Sequence, residues 1–428
     1  WQSKLYLDVT GRIDWSSALA WTNSKNVAYP SVGLSAILTD LFPIKNDVLT
    51  FLKVRASYSE VGNAPTRYIA YQTFPYQSGT PTTASTYPNS DIKPERTKAW
   101  EVGLQSNFWG DKLSLSVSLY KTSTYNQLFN PSLSASSGYT SIYINGGQVD
   151  NKGIELGLSL NQDLGPVKWN SNFTYTLNRN EIKKLLKPTT LASGLTIQQD
   201  VLDLGGVGNV MTRLTEGGSI GDLYVTALRT DEHGYIDVDY VNNTVAVDKN
   251  AGDRKDGWVY AGNAQPKYTL GWRNSFSWKG LNLGFLINAR VGGIGVSMTQ
   301  ALMDAYGTSQ ASADARDAGG VIINGSLVPA AQKYYQTVGT GAGSMYVYSA
   351  TNVRLAELSL GYDVPVSKVV PWIKGLNVAL TGHNLFMFYC KAPYDPELTA
   401  STATHFAGMD YFMLPSLRNL GFSVRLNF

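Results

Sequence analysis

The chain has 428 residues, of which 16% are charged and 12% aromatic, with 26 Tyr, 10 Trp and a formal net charge of +3. So small a charge does not indicate nucleic-acid binding, and the single Cys390 excludes an intrachain disulfide framework. No window offers the roughly 18 apolar residues of a transmembrane helix. A charged fraction below the ~25% of ordinary soluble domains favours a wall that is wet on one side and apolar on the other.

Apolar and polar residues alternate with a period of two along most of the chain. Such alternation predicts strands with one apolar and one polar face, because successive side chains of a strand point to opposite sides. In chain order the predicted strands cover 5–15, 32–38, 52–59, 100–108, 113–119, 154–160, 169–177, 268–278, 281–291, 356–362, 376–380 and 420–428. A further pair is expected between 220 and 260, which gives about fourteen strands, within the range of membrane barrels.

The last segment, LRNLGFSVRLNF at 417–428, shows the alternation most clearly. A strand that ends on an aromatic residue, here Phe428, is typical of an outer-membrane β-barrel, although a soluble sheet can alternate in the same way. The chain opens at Trp1 directly on a predicted strand, with no Met and no signal peptide. We therefore expect an N-terminal part of the protein to precede it.

The links between the predicted strands alternate in length. Short or modest links at 42–47, 109–111, 163–166, 279–280 and 364–374 alternate with long polar segments at 62–96, 125–150, 179–220, 295–349 and 386–415. Outer-membrane barrels have short periplasmic turns and long extracellular loops, a pattern that a soluble sandwich has no reason to show. Aromatic residues beside the short links and at the C-terminus predict an interfacial girdle, formed by Phe42, Phe108, Trp109, Trp169, Trp278, Trp372 and Phe428.

The polar faces and the long loops carry the candidate binding residues. Charged residues on the polar faces are expected to point inward, because lipid exposure would cost several kcal/mol each. An open pore and a barrel filled by a plug explain such a face equally well. Tyrosine rings in the loops can stack on sugar rings or peptide groups, with loop packing as the alternative. The candidate substrate-binding residues are Tyr76, Tyr87, Tyr139, Tyr143 and Tyr394.

No pattern of catalytic or metal-binding residues accompanies these features. The three histidines, His233, His383 and His405, lie far apart, and neither HExxH nor CxxC occurs. The sequence therefore predicts no enzyme, no metal site and no cofactor. The rival interpretations are a passive porin, an outer-membrane barrel enzyme such as a lipase, and a soluble β-rich binding protein.

Seven segments together resemble one known family. They are LYLDVTGRIDWSS at 5–17, LKVRASYSEVGN at 52–63, DIKPERTKAWEVGL at 91–104, NKGIELGLSL at 151–160, GNAQPKYTLGW at 262–272, VRLAELSLGYDVP at 353–365 and GHNLF at 382–386. In order and spacing they resemble the C-terminal barrel portion of SusC/RagA-like TonB-dependent transporters of the Bacteroidota outer membrane. The chain departs from the family at an acidic loop, whose sequence resembles DxNGDG in many family members. At 231–257 this chain reads DEHGYIDVD and then DKNAGDRKDG, so calcium binding is not carried over.

The resemblance implies an all-β fold, a transmembrane antiparallel β-barrel located in the outer membrane. Residues 1–428 would supply about fourteen C-terminal strands of a plugged barrel of roughly 22 strands, with the plug and the N-terminal domain outside this chain. Arg55, Arg273 and Arg290 would then face the plug. The edge strands at 5–15 and 420–428 would pair with strands of the N-terminal part and not with each other.

The resemblance also implies a function. The protein would import oligosaccharides or oligopeptides in a TonB-dependent manner, without covalent chemistry. A SusD-like surface lipoprotein would act as a lid, and the TonB complex would act through the missing N-terminal part. The alternative is a passive outer-membrane porin.

Overall fold

A computed structural model describes residues 1–42, 44, 46–82, 84–130, 133, 138–190, 196–366, 370, 372–398, 401 and 406–428. The chain divides into two compact units. Unit 1 comprises Trp1–Gln162, Phe173–Leu202 and Leu214–Ser219, and unit 2 comprises Asp163–Asn172, Asp203–Arg213 and Ile220–Phe428. No helix among the described residues is long and apolar enough to cross a membrane.

Unit 1 is built from long antiparallel strands with short strands in their links. In chain order its elements are β1 (Leu5–Trp15), β2 (Asn26–Ile37), helix α1 (Leu38–Leu41), β3 (Leu49–Asn63), β4 (Tyr76–Gln77), β5 (Thr80–Pro81), β6 (Thr86–Tyr87), β7 (Glu95–Phe108), β8 (Leu113–Phe129), β9 (Ser141–Ile142), β10 (Ile144–Leu164), β11 (Val167–Lys184, divided between the units), β12 (Leu186–Thr190) and β13 (Thr196–Gln199). The long strands are neighbours in the order β1-β2-β3-β7-β8-β10. At 11 to 21 residues, all are long enough to cross a bilayer, which takes about 9–11 residues.

The two faces of these strands differ in polarity row by row. Val102, Leu119 and Ile154 are register partners on β7, β8 and β10. The next row holds Gly103, Ser118 and Glu155. Val102 is 58% exposed and Leu119 49% exposed, so the apolar rows form an open surface of the kind that lipid covers. The strand predicted at 113–119 is confirmed, and contact of its apolar face with lipid stays a prediction.

Unit 2 combines long strands with a larger set of short elements. In chain order they are β14 (Val201–Val207) and β15 (Val210–Thr215), both mainly in unit 2, β16 (Asp222–Val225), β17 (Val238–Asp239), β18 (Thr244–Val245), β19 (Val259–Asn263), β20 (Tyr268–Trp278), β21 (Leu281–Val291), β22 (Ile294–Ser297), α2 (Met298–Ala305), α3 (Gln310–Asp317), β23 (Val321–Ile323), β24 (Ser326–Val328), α4 (Ala331–Gly341), β25 (Val347–Ser349), β26 (Asn352–Val364), β27 (Gly375–Cys390), β28 (Met409–Asp410) and β29 (Asn419–Asn427). Its long strands are neighbours in the order β20-β21-β26-β27-β29. The final strand is confirmed, and it pairs Val424 with Val378 of β27.

The strand pair expected between 220 and 260 does not join the long strands. β16 and β19 pair with each other in a four-stranded sheet of order β14-β15-β16-β19. Strands of four to seven residues are too short to cross a bilayer. The described residues therefore contain twelve long strands, including β11, and not about fourteen.

The short elements of unit 2 enclose a hydrophobic core of their own. Leu223, Val296, Ala301 and Met409 are completely buried in it, together with parts of α4. Segment 295–349, expected to be a long polar loop, contains three α-helices, of which α2 and α3 begin at serine N-caps. Ser297 accepts a hydrogen bond from the backbone N–H of Gln300, and Ser309 accepts one from Ser312.

Aromatic residues lie beside the short links of each unit, as predicted. Trp109 is exposed and contacts Phe108 in unit 1. In unit 2 the exposed ring of Trp372 stacks on Phe428 at 5.8 Å between centroids. Their alignment at one membrane interface stays a prediction, as does the pairing of β1 and β29 with strands outside this chain.

The apolar row through Val117 provides a test of the lipid-facing surface. Val117 lies between Leu104 and Leu156, so Val117→Arg is expected to weaken insertion by about 2–4 kcal/mol near the bilayer midplane. Folding into lipid vesicles, followed by heat-modifiable gel mobility, measures this effect. Ser116→Arg places the same charge on the polar face of the same strand and should insert nearly normally. Equal losses in both variants would contradict the assignment of the faces.

Candidate functional site

The polar face of unit 1 is organised around Arg55. Its guanidinium donates a hydrogen bond from Nη2 to Glu101 Oε1 at 2.8 Å and another to Ser118 Oγ at 2.6 Å. Ser118 lies on β8, two strands from β3, and Arg55 crosses the intervening strand at Gly103. A Cβ atom on residue 103 would lie 2.6 Å from Arg55 Cζ. The glycine therefore lets the arginine lie flat along the wall.

Tyr120 repeats this arrangement on the same face. A Cβ atom on Gly153 would lie 2.4 Å from Tyr120 Cζ, and the tyrosine hydroxyl donates a hydrogen bond to Asn178 Oδ1 at 3.3 Å. Glycine in a strand interior lacks a side chain to pack and often marks close approach by another group. On this wall the approaching group is a long polar side chain from the neighbouring strand.

The two arginines predicted for unit 2 also bond to their own unit. Arg273 forms an ion pair with Glu357 on β26 at 2.6 Å, and both side chains are partly exposed. Arg290 donates a hydrogen bond from Nη2 to the backbone oxygen of Ala264 at 2.9 Å, while its Nε is buried without a partner among the described residues. Contact of Arg55, Arg273 and Arg290 with a domain inside the barrel stays a prediction.

The links of unit 1 form an aromatic cavity of about 450 Å³. Tyr68, Tyr71 and Tyr143 line it together with Thr73 and Pro75. The Tyr71 ring contacts Trp21 at 5.0 Å between centroids. Ring faces beside hydroxyl and backbone polar groups suit a ligand that is flat on one side and rich in hydrogen-bonding groups.

Three other predicted tyrosines, Tyr76, Tyr87 and Tyr139, belong to the same links but do not line this cavity. Tyr87 and Tyr139 meet edge to face at 5.1 Å, and the Tyr139 hydroxyl donates a hydrogen bond to Gln72 Oε1 at 3.0 Å. Tyr87 and Tyr139 therefore hold the links together. Among the tyrosines predicted to bind substrate, Tyr143 is the one that lines the cavity. Tyr76 is exposed on the β4–β5 hairpin.

The remaining predicted tyrosine, Tyr394, belongs to unit 2. Its hydroxyl is buried close to Gly295 and has no partner among the described residues. Burial raises the pKa of this hydroxyl. Tyr394 thus packs inside unit 2 instead of presenting its hydroxyl to a substrate.

The sequence did not single out Trp21, which contacts Tyr71 of the cavity in unit 1. Its only signal was a tryptophan in a polar link.

A buried ion pair attaches segment 391–398 to β26. Arg354 donates a hydrogen bond from Nη2 to Asp395 Oδ1 at 2.7 Å, and their side chains are only 7% and 9% exposed. The Ser416 hydroxyl donates to the other carboxylate oxygen. Burial raises the pKa of Asp395, but the hydrogen bonds from Arg354 and Ser416 outweigh it, so the pKa lies below its ordinary value.

The described residues contain no group of three or more His, Cys, Asp or Glu side chains placed to hold a metal ion. His233 lies beside Glu232 in an exposed link, and His383 lies on β27. His405 lies outside the described residues. The two described histidines thus lie in separate elements.

Comparison with known proteins identifies relatives along the whole chain. The model of the family described as "TonB dependent receptor-like, beta-barrel" matches residues 1–288. TonB-dependent receptor P3 of Formosa agariphila is 26% identical to this chain over an alignment that is 457 residues long. The alignment covers 100% of this chain and 44% of that protein. TonB-dependent receptor P26 of the same organism is 25% identical, and the alignment covers 93% of this chain and 41% of that protein. The chain therefore spans less than half the length of these relatives.

Solved structures show the same fold. The RagAB peptide importer in the "open-open" state matches with a TM-score of 0.74 and 21% identity, covering 99% of this chain and 45% of that chain. The structure of the RagAB peptide transporter matches with a TM-score of 0.67 and 20% identity, covering 92% of this chain and 43% of that chain. At this identity the likeness concerns the fold.

The ion pair between Arg354 and Asp395 predicts a dependence of stability on pH. Because the folded-state pKa of Asp395 lies below the unfolded value of about 3.9, the carboxylate stabilises the fold above that pH, and the stabilisation is lost as the pH falls through the folded value. Asp395→Asn should cost up to about 3–5 kcal/mol at neutral pH, because it leaves the buried Arg354 with only the more exposed Glu397 as a counter-ion. Hydrogen exchange of segment 391–398 between about pH 2 and pH 7 measures both effects.

Glu397→Gln is the matched control. Glu397 is more exposed and lies 3.5 Å from the same guanidinium, so its loss should cost no more than about 1 kcal/mol. If both variants opened the segment equally, the buried pair would not be its anchor.

Proposed function

Because the chain belongs to the TonB-dependent receptor-like β-barrel family and thus to the bacterial outer membrane, we propose that it is the C-terminal barrel portion of an active importer. The observation that carries this proposal is the pair of faces on the long strands. One face presents open apolar rows such as Val102–Leu119–Ile154, and the other presents charged groups such as Arg55 and Glu101. Such a wall separates lipid from a polar interior.

The charged interior supports a plugged barrel. Arg55, Arg273 and Arg290 lie on long strands, where charge-assisted hydrogen bonds to an enclosed domain would hold it in place. The relatives that match this chain are more than twice as long, which leaves room for a plug and a TonB-contacting segment in the rest of the protein. The TonB complex would pull on that plug to open the path to the periplasm.

The cargo in this proposal is an oligosaccharide or an oligopeptide. The cavity lined by Tyr68, Tyr71 and Tyr143 supports an oligomer that offers flat faces and many hydrogen-bonding groups. RagAB, whose barrel has the same fold, is a peptide importer. A SusD-like surface lipoprotein would cover the extracellular opening and capture the cargo. Neither step makes or breaks a covalent bond, so the proposal assigns no catalytic residue.

Uptake experiments test the import proposal. In cells that carry the complete protein, accumulation of a labelled oligosaccharide or oligopeptide should stop when TonB is deleted or the proton gradient is collapsed. Uptake that continues without TonB would favour the alternative, a passive porin.

Substitution of the cavity tyrosines tests the substrate site. Tyr71→Ala combined with Tyr143→Ala should weaken cargo binding about tenfold, because each aromatic contact contributes about 0.5–1.5 kcal/mol. Titration calorimetry of the purified protein measures the change. Tyr240→Ala, which removes an exposed tyrosine from unit 2, is the control and should bind normally. A double variant with unchanged affinity would exclude this cavity as the cargo site.

Conductance tests the plug. The complete protein in a planar bilayer should show no open-pore current, because a domain held by the polar face fills the interior. A steady current typical of a porin would contradict the plugged arrangement.

A further inference from the structure

A row with two lysines lies on the apolar face of unit 1. Trp100 on β7, Lys121 on β8 and Lys152 on β10 are register partners across the three strands. This row lies two residues beyond the apolar row that contains Val102 and Leu119, and side chains two residues apart on a strand share a face. The apolar surface therefore ends at a row that carries two positive charges.

The lysine row lies on the side of the long links. The short link 109–112 joins β7 and β8 at one end, and the long segments 64–94 and 130–143 lie at the other end, beyond the row. Lys121 lies eight residues from Leu113, the first residue of β8, which is about 26 Å along the strand and about 20 Å along the membrane normal at a tilt of about 40°. Because the apolar band of outer-membrane barrels is about 25 Å tall and the long loops are extracellular, we expect the row at the headgroups of the outer leaflet.

The two lysines are not neutralised by the protein. Both are exposed, and side chains directly opposite on antiparallel strands have Cβ atoms about 4.5–5.5 Å apart, a distance at which like charges repel each other. Lys121 Nζ lies 3.6 Å from Asp150 Oδ2, whereas Lys152 forms no ion pair with any described residue. An anion held between the two ammonium groups would remove their repulsion.

The other carboxylate near the row is already paired. Glu60, on the neighbouring strand β3, contacts Arg96 at 2.5 Å and Lys98 at 3.8 Å. Its side chain is 11% exposed, so it is not free to turn toward the lysine row. The cations of this part of the face thus outnumber the carboxylates Glu60 and Asp150, and they are Arg96, Lys98, Lys121 and Lys152.

Aromatic rings lie in the same row as the lysines. Tyr58 on β3 is the register partner of Trp100, and their ring centroids are 4.4 Å apart. Trp100 is 60% exposed. Trp and Tyr are enriched at membrane interfaces, where the apolar ring meets lipid and the polar group meets water or headgroups. The rings therefore indicate the same level for the row as the length of the strands does.

We propose that Lys121 and Lys152 bind the phosphate group of an anionic lipid of the outer leaflet, whose acyl chains lie against the apolar row of Leu119 and Ile154. A phosphate monoester carries a charge of about −1.5 to −2 near pH 7, which matches two ammonium groups. Lysine suits this ligand because it presents a compact charge with three rotatable donors. The site rests on the lipid-facing wall of the proposed function and not on import, and Val117→Arg tests that wall separately.

Native mass spectrometry of the complete protein in neutral detergent, titrated with single lipids, tests this site. Phosphatidic acid, which carries a phosphate monoester, should bind at least about tenfold more tightly than zwitterionic phosphatidylcholine. Lys121→Gln combined with Lys152→Gln should weaken the binding of phosphatidic acid about thirtyfold, because each lysine near an anionic headgroup contributes about fivefold. Lys121→Arg combined with Lys152→Arg keeps both charges and should keep most of the affinity.

A matched pair of substitutions controls for the change in net charge. Lys249→Gln combined with Lys255→Gln removes two exposed lysines from a link of unit 2 and should leave the affinity unchanged. The comparison of the two lipids needs no variant, so it holds whatever the substitutions do to the fold. Three results would overturn the proposal. They are equal affinity for the two lipids, equal weakening by the two glutamine pairs, and displacement of phosphatidic acid by about 10 mM inorganic phosphate, which would show that the apolar row holds no acyl chain.

Discussion

A backbone that crosses lipid has to satisfy its own N–H and C=O groups, because the hydrocarbon offers no partners. Neighbouring long strands meet this requirement by pairing with each other, and β20 and β21 pair without interruption from Tyr268 with Val291 to Trp278 with Leu281. Once the ladder occupies the backbone, only the side chains can distinguish the two sides of the wall. A slip of one residue would exchange those sides, so the alternating sequence and the register determine each other.

The ladder becomes irregular where the wall gives way to the loops. The register of β26 against β27 shifts next to Arg354 and again before Glu357. Bulges of this kind re-aim side chains, and here Arg354 reaches Asp395 in the following link. At this irregular position of β26, the buried ion pair between Arg354 and Asp395 attaches the link that contains Asp395. The loops of unit 2 in turn have a hydrophobic core of their own around Leu223 and Val296.

Most of the wall could be predicted from the sequence, because period-two alternation depends on neighbouring residues alone. The rows through Val117 and the final ladder of Val424 with Val378 follow directly from it. The loops could not be predicted in the same way. The helices α2 and α3 are eight residues long, too short for a periodic signal, and their serine caps stand out only in the structure. The cavity of unit 1 brings Trp21 to Tyr71 across a long sequence separation, which no local pattern encodes.

Glycines on the polar face allow long side chains of the neighbouring strands to lie close to the sheet. Arg55 lies across Gly103 and Tyr120 across Gly153, so the length of each side chain runs parallel to the sheet. If this face lines the interior of the barrel, as proposed, the clearance there is set by the thickness of the flattened side chains and not by their reach. A domain that moves along the barrel axis would then meet flattened side chains, which already share part of their hydrogen bonds with the wall itself. A larger residue in place of either glycine would push the overlying side chain away from the sheet. That side chain would then obstruct such movement.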